Sequence, residues 1–143
     1  MSFSSGYATA TSEDYAGKGY DKGHMANAED FSYSCTDLEK TFRYYNALPQ
    51  TTKLNRGIWK SWETKIRKEA KKKRLLIVCG GIFKDKAKVI GDGVVVPTQC
   101  FKLVYDESGA LLHCLVFENN ANATQDHLTE SELRSNLGYR LSY

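Results

Sequence analysis

Apolar residues recur every fourth position at Leu54, Ile58, Trp62, Ile66 and Ala70, the spacing of one buried face of an α-helix. A second stripe beside it carries Asn55, Trp59, Glu63 and Arg67. At about 100° per residue, Glu63 is rotated only about 80° from Asn55 and Arg67 lies one turn further on, so one side of one helix presents an amide, a carboxylate and a guanidinium to a common cleft. Upstream, Thr36 and Glu39 have capping-box spacing, and Leu38, Phe42 and Tyr45 share a helical face, which predicts a helix from about Asp37 to Tyr45. Pro49 and Gln50 are read as opening a loop.

Downstream the period changes. Leu75-Leu76-Ile77-Val78-Cys79, ended by Gly80-Gly81, has the pattern of a short buried strand. Val94 to Pro97 and Gln99 to Tyr105 read as further strands, Asp106 to Gly109 as a turn, and Ala110 to Phe117 as the returning hairpin partner. Thr129 with Glu132 repeats the capping box and starts a final helix to about Asn136, stopped near Gly138. Met1 to Gly19, rich in Ser, Gly, Ala, Thr and Tyr, is expected to be a loosely held arm or one that docks late. Together these elements predict an α+β fold: a small, mainly antiparallel sheet flanked by helices, with the loop carrying His24 packed against the Asn55 helix.

Length and composition agree with one domain over residues 1–143, because 41% hydrophobic content supports a single modest core. The formal charge of +3 permits a polyanionic partner without requiring one. Its distribution says more: between Lys60 and Arg74, eight Lys or Arg face only Glu63 and Glu69, so this segment is either a solvated helix face or a surface that tracks phosphates. Lys71 to Arg74 also suit the negative end of the helix dipole, which explains them without a ligand. No apolar run approaches the ~20 residues needed to cross a bilayer, and the N-terminus lacks a basic and then apolar leader, so a soluble chain with no membrane partner is expected. Secreted and cytoplasmic compartments both stay open. Cys35, Cys79, Cys100 and Cys114 show no paired spacing for zinc, and Cys79 and Cys114 read as buried small hydrophobes.

Asp21-Lys22-Gly23-His24 places a histidine ahead of this amphipathic helix. Its imidazole has an ordinary pKa near 6.5 and is largely a free base at neutral pH. Cutting a phosphodiester requires such a base to activate water, positive charge where the pentacovalent phosphate forms, and rigid placement of both. Mg²⁺ usually keeps several waters and takes one or two protein oxygens, so Asn55 suffices as ligand, with Glu63 acting through a bound water. Lys22 and Arg67 supply charge for phosphate, and Asn46 fixes the geometry around His24. Each residue also has a plainer reading. Asn55 suits a helix N-cap, Glu63 and Arg67 suit an i,i+4 pair, and Trp59 and Trp62 suit the core.

In combination, Gly19-Tyr20-Asp21-Lys22-Gly23-His24-Met25, Asn46 with Pro49-Gln50, Leu54-Asn55, Trp59, Trp62-Glu63 and Arg67 resemble the non-specific DNA/RNA endonuclease family of the ββα-metal (His-Me finger) fold. That family includes the endonuclease G group and secreted bacterial nucleases. The resemblance spans about Tyr15 to Tyr139 and continues through Val96-Pro97 and Phe101-Lys102. It implies a general base at His24, a metal ligand at Asn55, a carboxylate at Glu63 that binds metal-held water, and phosphate- or transition-state-handling roles at Lys22, Asn46 and Arg67. It further implies cleavage of DNA and RNA with Mg²⁺ or Mn²⁺, 5′-phosphate products, and a structural, motif-orienting role for Asp21. An acidic inhibitor or immunity protein is an expected type of partner. Two departures matter. Family members usually carry Arg where this chain has Lys22, so a bidentate phosphate contact is lost there. Members also carry an earlier strand with an arginine near the scissile phosphate, whereas Met1 to Tyr20 contains none. These departures motivate the alternative of a weak or inactive nucleic-acid-binding homologue.

Overall fold

The computed structural model describes residues 10–31, 34–42 and 46–141. In chain order its elements are α1 (Ser12–Tyr15), β1 (Asp21–His24), α2 (Cys35–Thr41), β2 (Ala47–Gln50), a π turn (Leu54–Ile58) leading into α3 (Trp59–Ala70), β3 (Leu75–Ile82), β4 (Val89–Ile90), β5 (Val94–Val95), β6 (Gln99–Asp106), β7 (Leu111–Glu118), β8 (Gln125–His127) and α4 (Glu130–Leu137). A 3₁₀ turn, Ala28–Phe31, follows β1. This is an α+β architecture, as the sequence predicts.

Side-chain alternation on β6 organises the layers. This strand runs in the middle of the antiparallel sheet β3-β6-β7-β8, so both its faces must be covered. Cys100 and Val104 face α3, where they pack with Leu54, Trp59, Trp62 and Ile66. Phe101, Leu103 and Tyr105 face the other way, against Leu133 and Leu137 of α4. The sheet is therefore a wall between two helices, and α3 lies along one side of it. The separate β1–β2 ribbon, in register Asp21↔Gln50 to His24↔Ala47, is joined to the start of α3.

Several expectations are corrected. The His24 segment and Pro49-Gln50 form paired strands instead of loops, and Pro49, which has no N–H to donate, is accommodated because the ribbon has only two strands. The predicted helix from Asp37 to Tyr45 begins at Cys35, since Ser34 and not Thr36 caps it through Asp37 N–H; Tyr45 lies outside the described residues, and Phe42 is exposed. The α3 stripe is broken by the π turn, in which Gly57 takes φ −104° and ψ −112°. The extra residue in that turn moves Trp59 into the buried row, so burial follows Leu54, Trp59, Trp62 and Ile66, while Ala70 is exposed. Gly80 and Gly81 do not end β3. A Cβ on Gly80 would lie 2.8 Å from the Phe101 ring and one on Gly81 2.9 Å from Pro97, so glycine permits close packing. Because β3 is an edge strand, Leu76 and Ile77 stay exposed.

The predicted strand Val94 to Pro97 is limited to Val94–Val95, paired with β4 in its own ribbon, and β8 joins the main sheet as a short polar strand. The Asp106–Gly109 turn forms, with Gly109 N–H donating to Asp106 C=O. The Thr129–Glu132 capping box forms too, and Gly138 ends α4 at φ +71°. Residues 1–9 of the expected arm lie outside the described residues; in the remainder, Asp14 Oδ1 accepts Asp92 N–H at 2.7 Å. All four cysteines are unbridged, and Cys100 and Cys114 are buried. Among the described residues no helix is long and apolar enough to cross a membrane.

One buried amide fastens the ribbon to the sheet. Asn119 Nδ2 donates to Pro49 O (2.9 Å) and Pro97 O (2.8 Å), and its Oδ1 accepts Thr51 N–H (2.8 Å). Asn119→Ala leaves three buried backbone groups without partners. It is expected to cost about 2 to 4 kcal/mol in urea unfolding; a loss below about 0.5 kcal/mol would remove this fastening role.

Candidate active site

Asp21 joins the His24 strand to the helix start. Its carboxylate accepts hydrogen bonds from Asn55 Nδ2 (3.0 Å), from Arg56 Nε (2.9 Å) and Nη2 (3.2 Å), and from Thr52 Oγ1 (3.3 Å). Burial alone would raise the Asp21 pKa, but these donors outweigh it and hold the carboxyl below its usual value. The interaction also decides what Asn55 does. Its side chain is not the helix cap, because Thr51 Oγ1 accepts Leu54 N–H instead. With its NH₂ held by Asp21, Asn55 keeps its amide oxygen without a partner among the described residues.

Three residues along the same strand, His24 is held by its backbone. Its carbonyl accepts the Trp59 indole N–H at 3.4 Å, and Met25 N–H donates to Asn46 O at 2.8 Å. Gly23 is needed because the buried Gln50 amide folds across it, leaving no room for a Cβ. The imidazole packs edge-on against Phe42, with centroids 5.4 Å apart. Its Nε2 is shut from solvent and has no hydrogen-bond partner among the described residues. Burial, followed by the Lys22 charge, depresses the His24 pKa below 6.5, and a bond to the Lys22 backbone opposes this only in part. The ring is thus a neutral base at pH 7.

A cleft of about 750 Å³ opens beside His24 at Met25 and runs along α3, lined in part by Asn46, Glu63, Arg67, Cys79 and Lys102. Of the sequence-predicted residues, Asn46, Glu63 and Arg67 line it, while His24, Lys22 and Asn55 stand outside its lining. Asn46 spends its amide on backbone: Oδ1 accepts Ala26 N–H and Nδ2 donates to Ala26 O and Thr41 O, each at 2.9 Å. It holds the chain immediately after His24. Lys22 Nζ donates to Phe42 O at 2.7 Å. Glu63 and Arg67 do not pair with each other. Glu63 Oε2 accepts Asn27 Nδ2 at 2.5 Å, and Arg67 donates to Asp30 (2.7 Å) and Glu29 (2.8 Å). Burial pushes the Glu63 carboxyl up, against the pull of Lys102 and the Asn27 bond.

The sequence reading missed Asn27 and Lys102. Asn27 lies three residues after the histidine and orients Glu63 from 36 positions away, a pairing that no local pattern carries. Lys102 did leave a signal: a lysine alternating with Cys100 and Val104 on the buried face of a central strand. Trp59 and Trp62 are core residues, as the plainer reading has it. Of the sequence-predicted ligands, Asn55 offers an amide oxygen and Glu63 a carboxylate, oxygen donors both. That set suits a hydrated Mg²⁺ better than a soft metal.

A model of the DNA/RNA non-specific endonuclease family matches residues 1–136. Human mitochondrial endonuclease G is 33% identical over 114 residues, covering 71% of this chain and 38% of that protein. A nuclease of Nostoc sp. is 31% identical over 99 residues, covering 69% and 36%. The mitochondrial nuclease of Saccharomyces cerevisiae is 34% identical over 110 residues, covering 66% and 33%. The chain spans under two fifths of the length of these curated relatives. Among solved structures, a chain of the EndoG/EndoGI complex superposes with a TM-score of 0.74 at 25% identity, covering 90% of this chain and 61% of that one. The ββα-metal fold follows from that match.

Asp21→Ala is expected to destabilise the chain by about 2 kcal/mol, mainly through the Asn55 and Thr52 bonds, since Arg56 lies largely in solvent. Should Asn55 hold a divalent cation, the variant should also bind Mg²⁺ about tenfold more weakly, because the amide loses its orientation. Urea unfolding and calorimetric metal titration check the two effects separately; unchanged metal affinity in a folded variant rejects the orienting role.

Proposed function

Because this chain belongs to the DNA/RNA non-specific endonuclease family, we propose that it hydrolyses phosphodiester bonds of DNA and RNA without reading sequence, leaving 5′-phosphate ends. The observation that carries this reading is the neutral His24 imidazole beside the cleft, its buried Nε2 without a hydrogen-bond partner among the described residues. A desolvated imidazole nitrogen with no hydrogen bond is costly unless it serves a reaction, and here its neighbours keep it unprotonated.

In the proposed mechanism the neutral His24 imidazole takes a proton from the attacking water, while Trp59 and Asn46 keep the His24 backbone fixed. Asn55, held by Asp21, offers its amide oxygen to a divalent cation, Mg²⁺ with Mn²⁺ able to replace it, and Glu63, held by Asn27, steadies that ion's hydration shell. When bound, such a cation neutralises charge on the pentacovalent phosphate and on the leaving oxygen. Lys22 adds a point charge beside His24, and Arg67 a guanidinium in the cleft wall. Backbone contacts of this kind carry no base information, which supports cleavage of both DNA and RNA. The basic, exposed Lys60, Lys65, Lys68 and Lys71–Lys73 support a polyanionic partner and would equally suit an acidic inhibitor. Retention of His24, Asn55 and Glu63 together favours activity over the inactive homologue.

His24→Ala should lower the cleavage rate about 10²- to 10⁴-fold, and Asn55→Ala should raise the Mg²⁺ concentration needed for half-maximal cleavage. Plasmid and RNA left intact by folded protein across a Mg²⁺ and Mn²⁺ series would reject the proposal. The pH dependence has a defined sign. His24 acts unprotonated and its pKa lies below 6.5, so the rate should rise with pH through a midpoint below 6.5 and be level by pH 7. A midpoint above 6.5 in single-turnover cleavage would exclude His24 as the base.

A further inference from the structure

Lys102 is 3% exposed, yet among the described residues no carboxylate lies within 4.0 Å of its ammonium. Its Nζ sits 3.8 Å from the centroid of the Trp59 ring and 3.5 Å from Cys79 Sγ, its register partner on β3. Trp59 is fully buried, meets the edge of Phe117 at 5.1 Å, and gives its indole N–H to the His24 carbonyl. A buried cation with no carboxylate in contact, drawn only through space toward Glu63, is expensive to keep, so its place calls for a role. What it touches is the Cys79 sulfur and one ring, and that ring holds the backbone of the proposed base.

Resting on the hydrolytic reading above, we propose that Lys102 is a positioning residue: its ammonium, stacked on the Trp59 face, fixes the indole whose N–H holds His24 in reacting geometry. The position is favourable on three counts. The ammonium is desolvated, which strengthens attraction to the ring quadrupole. Its stem rises from a central strand between Cys100 and Val104, so it is anchored in the stiffest part of the sheet. A cation over the π-face also draws electron density from the indole, which makes its N–H a better donor to His24 O. Lys102 lines the cleft together with Glu63, whose ionised form its charge also favours.

The test compares Lys102→Met, which keeps the stem and removes the charge, with Lys102→Arg, which keeps a cation able to stack. In the 143-residue chain, Lys102→Met should lower kcat about tenfold to a hundredfold with KM changed less than about threefold, and Lys102→Arg should restore most of it. The His24 ring resonances in NMR and the tryptophan bands in near-UV circular dichroism should move in Met and return in Arg. These spectra need no turnover, so they test the inference even if wild-type protein cleaves nothing, a result that would defeat the proposed function instead. Unmoved His24 resonances in folded Lys102→Met overturn the positioning role. So does a raised KM at constant kcat together with a salt slope shallower by about one, which would make Lys102 a phosphate contact. An Arg variant as impaired as Met, with the same thermal midpoint, overturns it as well.

Discussion

A single carboxylate, that of Asp21, determines whether this site exists. Two four-residue strands with two glycine or proline positions have little stability of their own. The ribbon keeps its place because Asp21 gathers donors from Thr52, Asn55 and Arg56, all at the opening of the long helix. The same bonds orient the Asn55 amide, so one group carries both the scaffold and the direction of the oxygen proposed as a ligand. Charge-assisted bonds are suited to this task because they are short and directional, and the residues they connect are 31 to 35 positions apart.

The second constraint is the π turn. A regular helix from Leu54 would put Trp59 on the flank beside Asn55, where its indole could not lie fully in the core. One extra residue in the turn rotates the following helix so that Trp59 is buried against Phe117 and reaches back to His24. Gly57 supplies the backbone freedom at that turn. The wide turn thus separates two tasks along one helix: Asn55 at its start faces Asp21, and Glu63 after it faces the cleft.

How much of this could be read from the chain follows from the range of the interactions. Strongly periodic elements were legible: the helix through Trp62 and Ile66, the β6–β7 hairpin with its Asp106–Gly109 turn, and the capped final helix. Their signals are local and agree with their burial. The β1–β2 ribbon was not legible, since Lys22-Gly23-His24 has no alternation and Pro49 argues for a loop; tertiary fastening by Asp21 and Asn119 overrides both. The π turn hid for a related reason, because a four-residue spacing of Leu54, Ile58 and Trp62 imitates a regular helix. The motif picks out His24, Asn55 and Glu63 as candidates, but it gives no sign of Asn27, which holds Glu63 from 36 positions away, or of Asn119, which fastens Pro49 from 70.

Arg67 shows how the proposed site balances charge before substrate enters. Its guanidinium is engaged by Asp30 and Glu29, which makes it a fastener of the segment after His24 as much as a cation for phosphate. For Arg67 to meet a phosphate, the polyanion must share or displace those carboxylates, and two short charge-assisted bonds are a substantial competitor. Glu29 is the weaker holder, since its side chain is 74% exposed against 31% for Asp30. Exchange at the Nη1 end, with Asp30 kept on Nε, therefore costs least: the guanidinium stays aimed by Asp30 while its outer edge turns to the incoming backbone. Lys102 needs no such exchange, because its counter-charge is an aromatic face that a phosphate does not displace. On the proposed reading the two buried-side cations of the cleft divide the work, Arg67 exchanging partners with substrate and Lys102 keeping the Trp59 ring in place beneath His24.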